Sequence, residues 1–413
     1  MKGIGLEPDA HFLTKEYFTD PYTFFRAAHE AGIKLFWSKK ISAWVVISYE
    51  EVKAGLASTD FNSAQRIQKA VQHFSLQEQA SSHLAIDVLE NWIVFQDPPN
   101  HARLRKLVNK SFTPRTIAAL RPQIEKIVDE LLFKTFKNPF ELVNFVDQIS
   151  FMIPSMVICA LLGIPLERQH DLRRWSDAIA GLSAAAQASE EDIRCANKAV
   201  VEAEHYLLGL FDDIRRDPNE ALLSKLLNPE GSGDQLTDLE LVAMTVQLFF
   251  AGFETTEGLM GNLLLALLRH PQSLEDLVTH PELLPGAIEE CLRFDSSIIK
   301  QSRVASRDVE VSTELIKAGD YVHFMIAAAN WDPTKFESPE EFDIKRSEND
   351  HLTFGHGIHF CIGAPMARLE TEVLFSALLS RISEFVIAES QIQYPELLAI
   401  RKPKALHITA FPH

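Results

Sequence analysis

The sequence predicts a mainly α protein with small β-sheets, built as one large domain over residues 1–413. Three observations lead there. Helix-period patterns with recognisable starts and stops occupy most of the chain. One of them is a long apolar run that begins at a capping-box pattern, Thr237 with Glu240. The β-type segments are few and short, and no repeat, low-complexity tract or linker divides the chain.

Taken in order, Asp20-Pro21 opens the first clear helix, YTFFRAAHEAG, with an acid as N-cap, proline in the first turn and Gly32 as the stop. KLFWSKK and AWVVIS are rich in aromatic and β-branched residues and read as a small hairpin. Helical patterns follow over 51–57, 103–111, 116–136, 150–162, 166–184 and 190–217. The loop NPEGSGDQL then precedes the long run, LELVAMTVQLFFAGFETTEGLMGNLLLALLRH, which ends before Pro271. About thirty residues at 1.5 Å rise give roughly 45 Å, enough to cross a molecule of this size. The run is apolar nearly all round, as a central helix should be. Short β segments return over 309–311 and 321–324, and the tail from 387 to 411 reads β-rich.

Composition narrows the function. The formal net charge is −17, from 57 acidic and 40 basic residues. That argues against general binding to nucleic acid and against docking on an anionic membrane, and any basic patch must be local. The N-terminus, MKGIGLEPDAHFLTKEYF, lacks the apolar core of a signal peptide. The most apolar region, 241–253, carries Thr245 and Gln247 and is too short to span a bilayer. Four scattered cysteines without a CxxC argue for a reduced, cytoplasmic protein.

One of those cysteines has unusual company. In FGHGIHFCIG, residues 354–363, Cys361 stands among three glycines, two histidines and two phenylalanines. The chain after it reads IGAPMARLETEVLFSALLSRI, an amphipathic helix with Pro365 in its first turn. Cys361 therefore sits at or just before a helix N-terminus, where free N–H groups and the helix dipole stabilise a thiolate. Gly355, Gly357 and Gly363 let backbone approach something large and flat, and Phe354 and Phe360 offer dry walls. A structural cysteine needs none of this. A zinc site from His356, His359 and Cys361 has an uncommon spacing. A nucleophile with His359 as base leaves the glycines unexplained. A thiolate ligand to haem iron accounts for the most features.

Phe354-x-x-Gly357-x-x-x-Cys361-x-Gly363 resembles the haem-thiolate signature of the cytochrome P450 superfamily, and three further segments resemble that family in the right order. Glu290-Cys-Leu-Arg293 is similar to its E-x-x-R helix. Ala251-Gly252-Phe253-Glu254-Thr255-Thr256 is similar to the A-G-x-[D/E]-T-T of its long central helix. Asp97-Pro-Pro-Asn-His101-x-x-x-Arg105 is similar to its haem-propionate segment. The resemblance implies the family's fold, with the long helix over a haem b that Cys361 ligates. It implies that Ala251 and Gly252 leave room above the iron, that Thr255 hydrogen-bonds the dioxygen species, and that Glu254 relays protons. His101, Arg105, Arg303 and His359 are implied to bind propionates, with Phe354 and Gly363 shaping the cysteine loop. Glu290 and Arg293 are implied to form a buried structural pair.

The chain departs from the family at Pro339-Glu-Glu341-Phe342, where Glu341 stands in place of an arginine expected beside Glu290. The sequence carries no flavin or nicotinamide fingerprint, so no fused reductase is expected, and electrons should come from an external ferredoxin and ferredoxin reductase. HARLRKLVNKSFTPRTIAALR holds Arg103, Lys106, Lys110 and Arg115 without one acid, a local positive patch that suits an acidic ferredoxin. By family topology the substrate pocket draws on Leu89, Ile93, Phe250, Ala251, Thr255, Ile298 and Ile299. These are mostly apolar, which fits a hydrophobic small molecule. The resemblance implies an oxygen-inserting monooxygenase that tailors polyketides or other natural products; fatty acids and terpenoids are the alternatives. Family members driven by peroxide usually carry Arg-Pro where this chain has Glu254-Thr255, and a haem carrier would need neither residue.

Overall fold

The computed structural model describes residues 7–71, 83–110, 112–138, 141–183, 189–228, 235–388 and 391–412. Helices dominate and the sheets are small. Packing divides the chain into two compact units. One holds Met1–Phe61, Ile117–Pro154 and Glu254–His413; the other holds Asn62–Thr116 and Ser155–Phe253.

The first unit is organised around a five-stranded sheet in which Leu35–Ser38, Ala43–Val46, Tyr321–Met325, Lys300–Ala305 and Phe61–Asn62 are neighbours in that order. The predicted hairpin forms its edge, pairing Leu35 with Val46 and Ser38 with Ala43. Side chains alternate across a strand, and both faces of this sheet are covered. Val45 and Met325 join a core cluster with Phe12, Phe25 and Trp331. Val46 and Phe324, one residue away, join a second cluster with Tyr49, Phe61 and Phe336. The helix Pro21–Glu30 starts as expected, with the Asp20 carboxylate accepting from the Tyr22 N–H at 3.1 Å, and Gly32 follows it at φ 71°.

Among the described residues, four strands escaped the sequence reading: Phe61–Asn62, Leu142–Asn144, Lys300–Ala305 and Glu314–Ile316. Lys300–Ala305 buries Ser302 and Arg303, so its inward positions carry polar side chains and its period-2 signal is broken. Glu314–Ile316 is a three-residue arm paired with Val309–Val311. The tail is less regular than expected. Strands run over Ile382–Ile387 and His407–Pro412, and most of the chain between them is irregular.

The helix expected over 116–136 is two helices, Pro114–Ala118 and Arg121–Thr135, because Pro122 restarts the chain in a new first turn. That expected over 150–162 starts at Met152 after a wide turn, Val146–Ser150. That expected over 166–184 begins as a tight turn, Leu166–Arg168, and continues as Gln169–Ser183.

In the second unit Gln169–Ser183 packs along Glu190–Arg216, tied by Arg174 and the Trp175 indole to Glu202 at 2.6 and 3.2 Å. The long helix spans Asp238–Arg269, 32 residues. Its capping box is formed: the Thr237 N–H donates to Glu240 at 2.9 Å and the Glu240 N–H to the Thr237 hydroxyl at 3.2 Å. Of the loop expected before it, residues 229–234 lie outside those described. No helix among the described residues is long and apolar enough to cross a membrane.

Candidate functional site

In the first unit, Cys361 lies three residues before the helix Ala364–Leu379, whose N-cap is Gly363. The Cys361 Sγ is 3.9 Å from where a Cβ on Gly363 would stand, so the sulfur faces the N-cap. A sixteen-residue helix presents its unsatisfied N–H groups and positive dipole end there, a setting for a thiolate. The loop closes on itself through the Cys361 N–H, which donates to the Phe354 carbonyl at 2.8 Å.

The glycines have partly different reasons from those expected. Gly357, at φ 72°, presses the loop onto the end of the helix Tyr49–Ala57; a Cβ there would stand 3.0 Å from the Ala57 Cα and 3.1 Å from the Leu56 carbonyl oxygen. Gly355, at φ 74°, lies against the Gln301 amide, 3.1 Å from a Cβ position. Gln301 Oε1 also accepts from Arg303 at 3.4 Å, so this side chain connects the cysteine loop to the strand that carries Arg303. Arg303 is buried and donates to the Ser302 carbonyl at 2.8 Å. Phe354 is a buried wall, covered by the Arg368 guanidinium at 4.5 Å, whereas Phe360 is exposed. His359 is half-buried.

The loop is held from below by a network the sequence reading only half found. Glu290 and Arg293 are fully buried and bonded side by side, Nε to Oε2 at 2.9 Å and Nη2 to Oε1 at 2.8 Å. Arg293 also donates to the carbonyls of Asn330, Pro339 and Glu341 at 3.0, 2.8 and 2.9 Å. The missing arginine is supplied by Arg346, whose Nε reaches Glu290 Oε2 at 3.1 Å; the Glu341 side chain is exposed. The Asp343 N–H and the Asn349 amide complete the set of donors to Glu290 at 3.0 and 3.1 Å. Asn330 ties this network to the cysteine loop, accepting from the Leu352 N–H at 2.8 Å and donating to Thr353 at 2.9 Å.

Glu254 and Thr255 begin the part of the long helix that belongs to this unit. Glu254 is buried, and the Lys402 ammonium stands 3.4 Å from its Oε1. Nothing in the sequence pairs those two positions. Ile298 is half-buried and bridges to Ile400; Ile299 is buried in a core cluster.

In the second unit, His101 is buried and Arg105 half-buried on the helix Asn100–Asn109, one turn apart on one face. Ala251 is exposed and Gly252 half-buried, although Phe253 beside them is fully buried. Gln247, Ala251 and Thr255 are spaced four apart, so the less buried positions in this part of the helix line up on one side. Phe250 is half-buried and packs on Trp92 at 5.3 Å. Leu89 and Ile93 are buried, and the Ile93 N–H donates to Gln247 at 2.6 Å. In the basic stretch, Arg103 is engaged by Glu240, whereas Lys106, Lys110 and Arg115 are exposed.

The other cysteines offer no site. Burial pushes the Cys159 thiol up to about 12 and Cys291 well above its usual value; the Glu191 hydrogen bond raises exposed Cys195. Among the described residues no group of three His, Cys, Asp or Glu side chains is disposed to hold a metal ion, so the zinc alternative at His356, His359 and Cys361 has no support. Cys361 at a helix N-terminus, with Arg303 buried in the same unit, is a setting that fits thiolate ligation of a haem.

Comparison with known proteins agrees. The family model described as Cytochrome P450 matches residues 57–279 and 274–408. The chain is 35% identical, over 96% of its length and 97% of the relative's, to the polyketide biosynthesis cytochrome P450 PksS of Bacillus subtilis (strain 168). Among solved structures it resembles epothilone D-bound cytochrome P450epoK, with TM-score 0.88 and 30% identity over all of both chains. It also resembles P450BioI in complex with hexadec-9Z-enoic acid-ligated acyl carrier protein, with TM-score 0.87 and 32% identity over 96% of this chain and 100% of that one.

Proposed function

The chain belongs to the cytochrome P450 family, and from that premise we propose that this monooxygenase oxidises a hydrophobic polyketide-type molecule by hydroxylation or epoxidation. The net reaction for hydroxylation is R–H + O₂ + 2e⁻ + 2H⁺ → R–OH + H₂O. The observation that carries the monooxygenase reading is Glu254 beside Thr255 in the middle of a largely apolar helix. An acid and a hydroxyl cost free energy there unless they have work to do.

When bound, the haem b supplies dioxygen activation at its iron. The rest falls to the chain. Cys361 would hold the haem iron as a thiolate, favoured by the N-terminus of the following helix. Glu290, Arg293 and Arg346 keep the loop under it rigid. His101, Arg105, Arg303 and His359 supply cationic or hydrogen-bonding groups for the propionates. Thr255 offers its hydroxyl on the less buried side of the long helix, and Glu254 relays protons toward that hydroxyl through its carboxylate. Phe250 and Ile298, the half-buried apolar candidates, would contact the substrate; Leu89, Ile93 and Ile299 are buried. Electrons come from an external ferredoxin and its reductase in the cytoplasm, docking at Lys106, Lys110 and Arg115.

The substrate class rests on likeness to PksS and to the epothilone-bound structure. Likeness to the acyl carrier protein complex favours a second reading, an acyl chain presented on a carrier. The test is a Soret titration of the ferric protein with polyketides, macrolides, free fatty acids, acyl carrier protein conjugates and terpenoids. A low-to-high-spin shift with macrolides or polyketides supports the first reading. A shift confined to carrier-bound or free acyl chains replaces it with the second.

A further inference from the structure

Lys402 reaches a place its sequence gives no hint of. Its Nζ lies 2.9 Å from Glu257 Oε2 and 3.4 Å from Glu254 Oε1, with the lysine side chain 14% exposed and the carboxylates 2% and 3%. Two acids one turn apart on a buried helix share one ammonium.

Packing fixes that arrangement. Residues 401–403 lie directly on the long helix where it carries glycine. A Cβ on Gly258 would stand 3.3 Å from the Arg401 carbonyl oxygen and from the Lys402 Cβ; one on Gly261 would stand 3.3 Å from Pro403. Asn262, on the next position of the helix, donates to the Arg401 carbonyl at 3.2 Å and the Asp295 carbonyl at 2.9 Å. Arg401 is itself anchored, its Nε on Asp295 at 2.9 Å and its guanidinium 3.6 Å over the Tyr394 ring. Asp295 also accepts from the Tyr22 hydroxyl at 3.0 Å. Glu254 is thus faced by Glu257 from its own helix and by Lys402 from the crossing segment, whose neighbour Arg401 is paired with Asp295.

We propose that Lys402 is a positioning residue for the oxygenation reaction, its ammonium shared between Glu254 and Glu257 so that the Glu254 carboxylate is held where it passes protons. Glu257 is the anchor that keeps the ammonium in place. A cation this close favours the carboxylate over the acid, and in a nearly dry site it does so strongly. Lys402 thereby sets both the direction and the charge of the acid beside Thr255. The inference rests on the reading of Glu254 as the proton-delivering acid.

The experiment follows the protonated-carboxyl band by infrared difference spectroscopy across pH in the ferric holoprotein, with Glu254→Gln assigning the band. Peroxide released per electron pair is measured alongside. Lys402→Met is expected to raise the pH at which Glu254 loses its proton by about 1–3 units and to increase peroxide release. Lys402→Arg restores both. Glu257→Gln, which leaves the lysine to Glu254 alone, shifts the titration the other way, and keeps the test open if Lys402→Met folds poorly. An unmoved titration and unchanged peroxide release in Lys402→Met and Glu257→Gln would overturn the proposal. Failure of the underlying reading looks different: Glu254→Gln then leaves peroxide release as in the wild type whatever Lys402→Met does to the band, and the functional part of the inference falls with it.

Discussion

Arg346 places its Nε 3.1 Å from the Glu290 carboxylate, and so completes the network below the cysteine loop from a position five residues beyond the one where an arginine was expected. Its guanidinium also takes the Glu337 and Ser338 carbonyls at 2.8 and 3.2 Å, which pins the 337–346 turn to the helix Leu284–Phe294. Removing one partner from a buried pair strands the other charge, so Arg293→Met should cost about 3–5 kcal/mol. Arg346, slightly exposed, should cost about 1.5–3 kcal/mol when replaced by Met. Glu341→Ala should stay within about 0.5 kcal/mol, because Arg293 uses only its carbonyl. Urea unfolding of the three variants, with haem content measured alongside, checks this order.

Acid should loosen the same region through Glu289. Burial alone would raise this carboxyl, but Arg368 at 2.6 and 2.7 Å and His351 at 3.1 Å outweigh it and hold it at about 2, against an ordinary 4.5. A depressed carboxyl stabilises the fold above its unfolded value and loses that contribution as pH falls through its folded value. Stability worth on the order of 1–2 kcal/mol, discounted for partial exposure, should therefore vanish between about pH 4.5 and 2. Glu289→Gln should flatten that part of a urea-midpoint profile; an unchanged slope would show that the pair contributes nothing.

Electron delivery should depend on some of the basic stretch and not on all of it. Reversing Lys106 and Lys110 to Glu should slow ferredoxin-driven reduction by about tenfold or more at low salt. Arg103→Ala should slow it much less, because Glu240 already occupies that cation. Stopped-flow reduction at two ionic strengths separates the two cases, since only the steered encounter weakens with salt.

Thr255→Ala should let electrons flow while product formation falls by about 10²-fold and hydrogen peroxide accumulates. Product formation at the wild-type rate would remove the hydroxyl from the mechanism.

Much of this was legible in the chain because the decisive features are local. The capping box at Thr237 and Glu240, the N-cap at Asp20 and the proline-led helix after Cys361 each lie within a few residues of the element they start. The strand Lys300–Ala305 was not legible, since burying Ser302 and Arg303 removes the alternation that marks a strand. Lys402 on Glu254, Gln247 on the Ile93 N–H and Arg346 on Glu290 were not legible either. Each joins residues far apart in sequence, and only packing brings them together. The glycines of the cysteine loop were singled out for close approach to something large and flat, whereas Gly355 and Gly357 serve contacts with Gln301 and with the helix Tyr49–Ala57 that no local pattern shows.

Every proposed role depends on Cys361 serving as a thiolate ligand to haem iron. The most direct measurement is the absorption spectrum of the reduced, carbon monoxide-bound protein beside that of Cys361→His. The wild type should show the red-shifted Soret band of thiolate ligation, and the variant should lose it, with the band moving to the position of imidazole-ligated haem. The same thiolate band in both proteins, or its absence from the wild type, would contradict it.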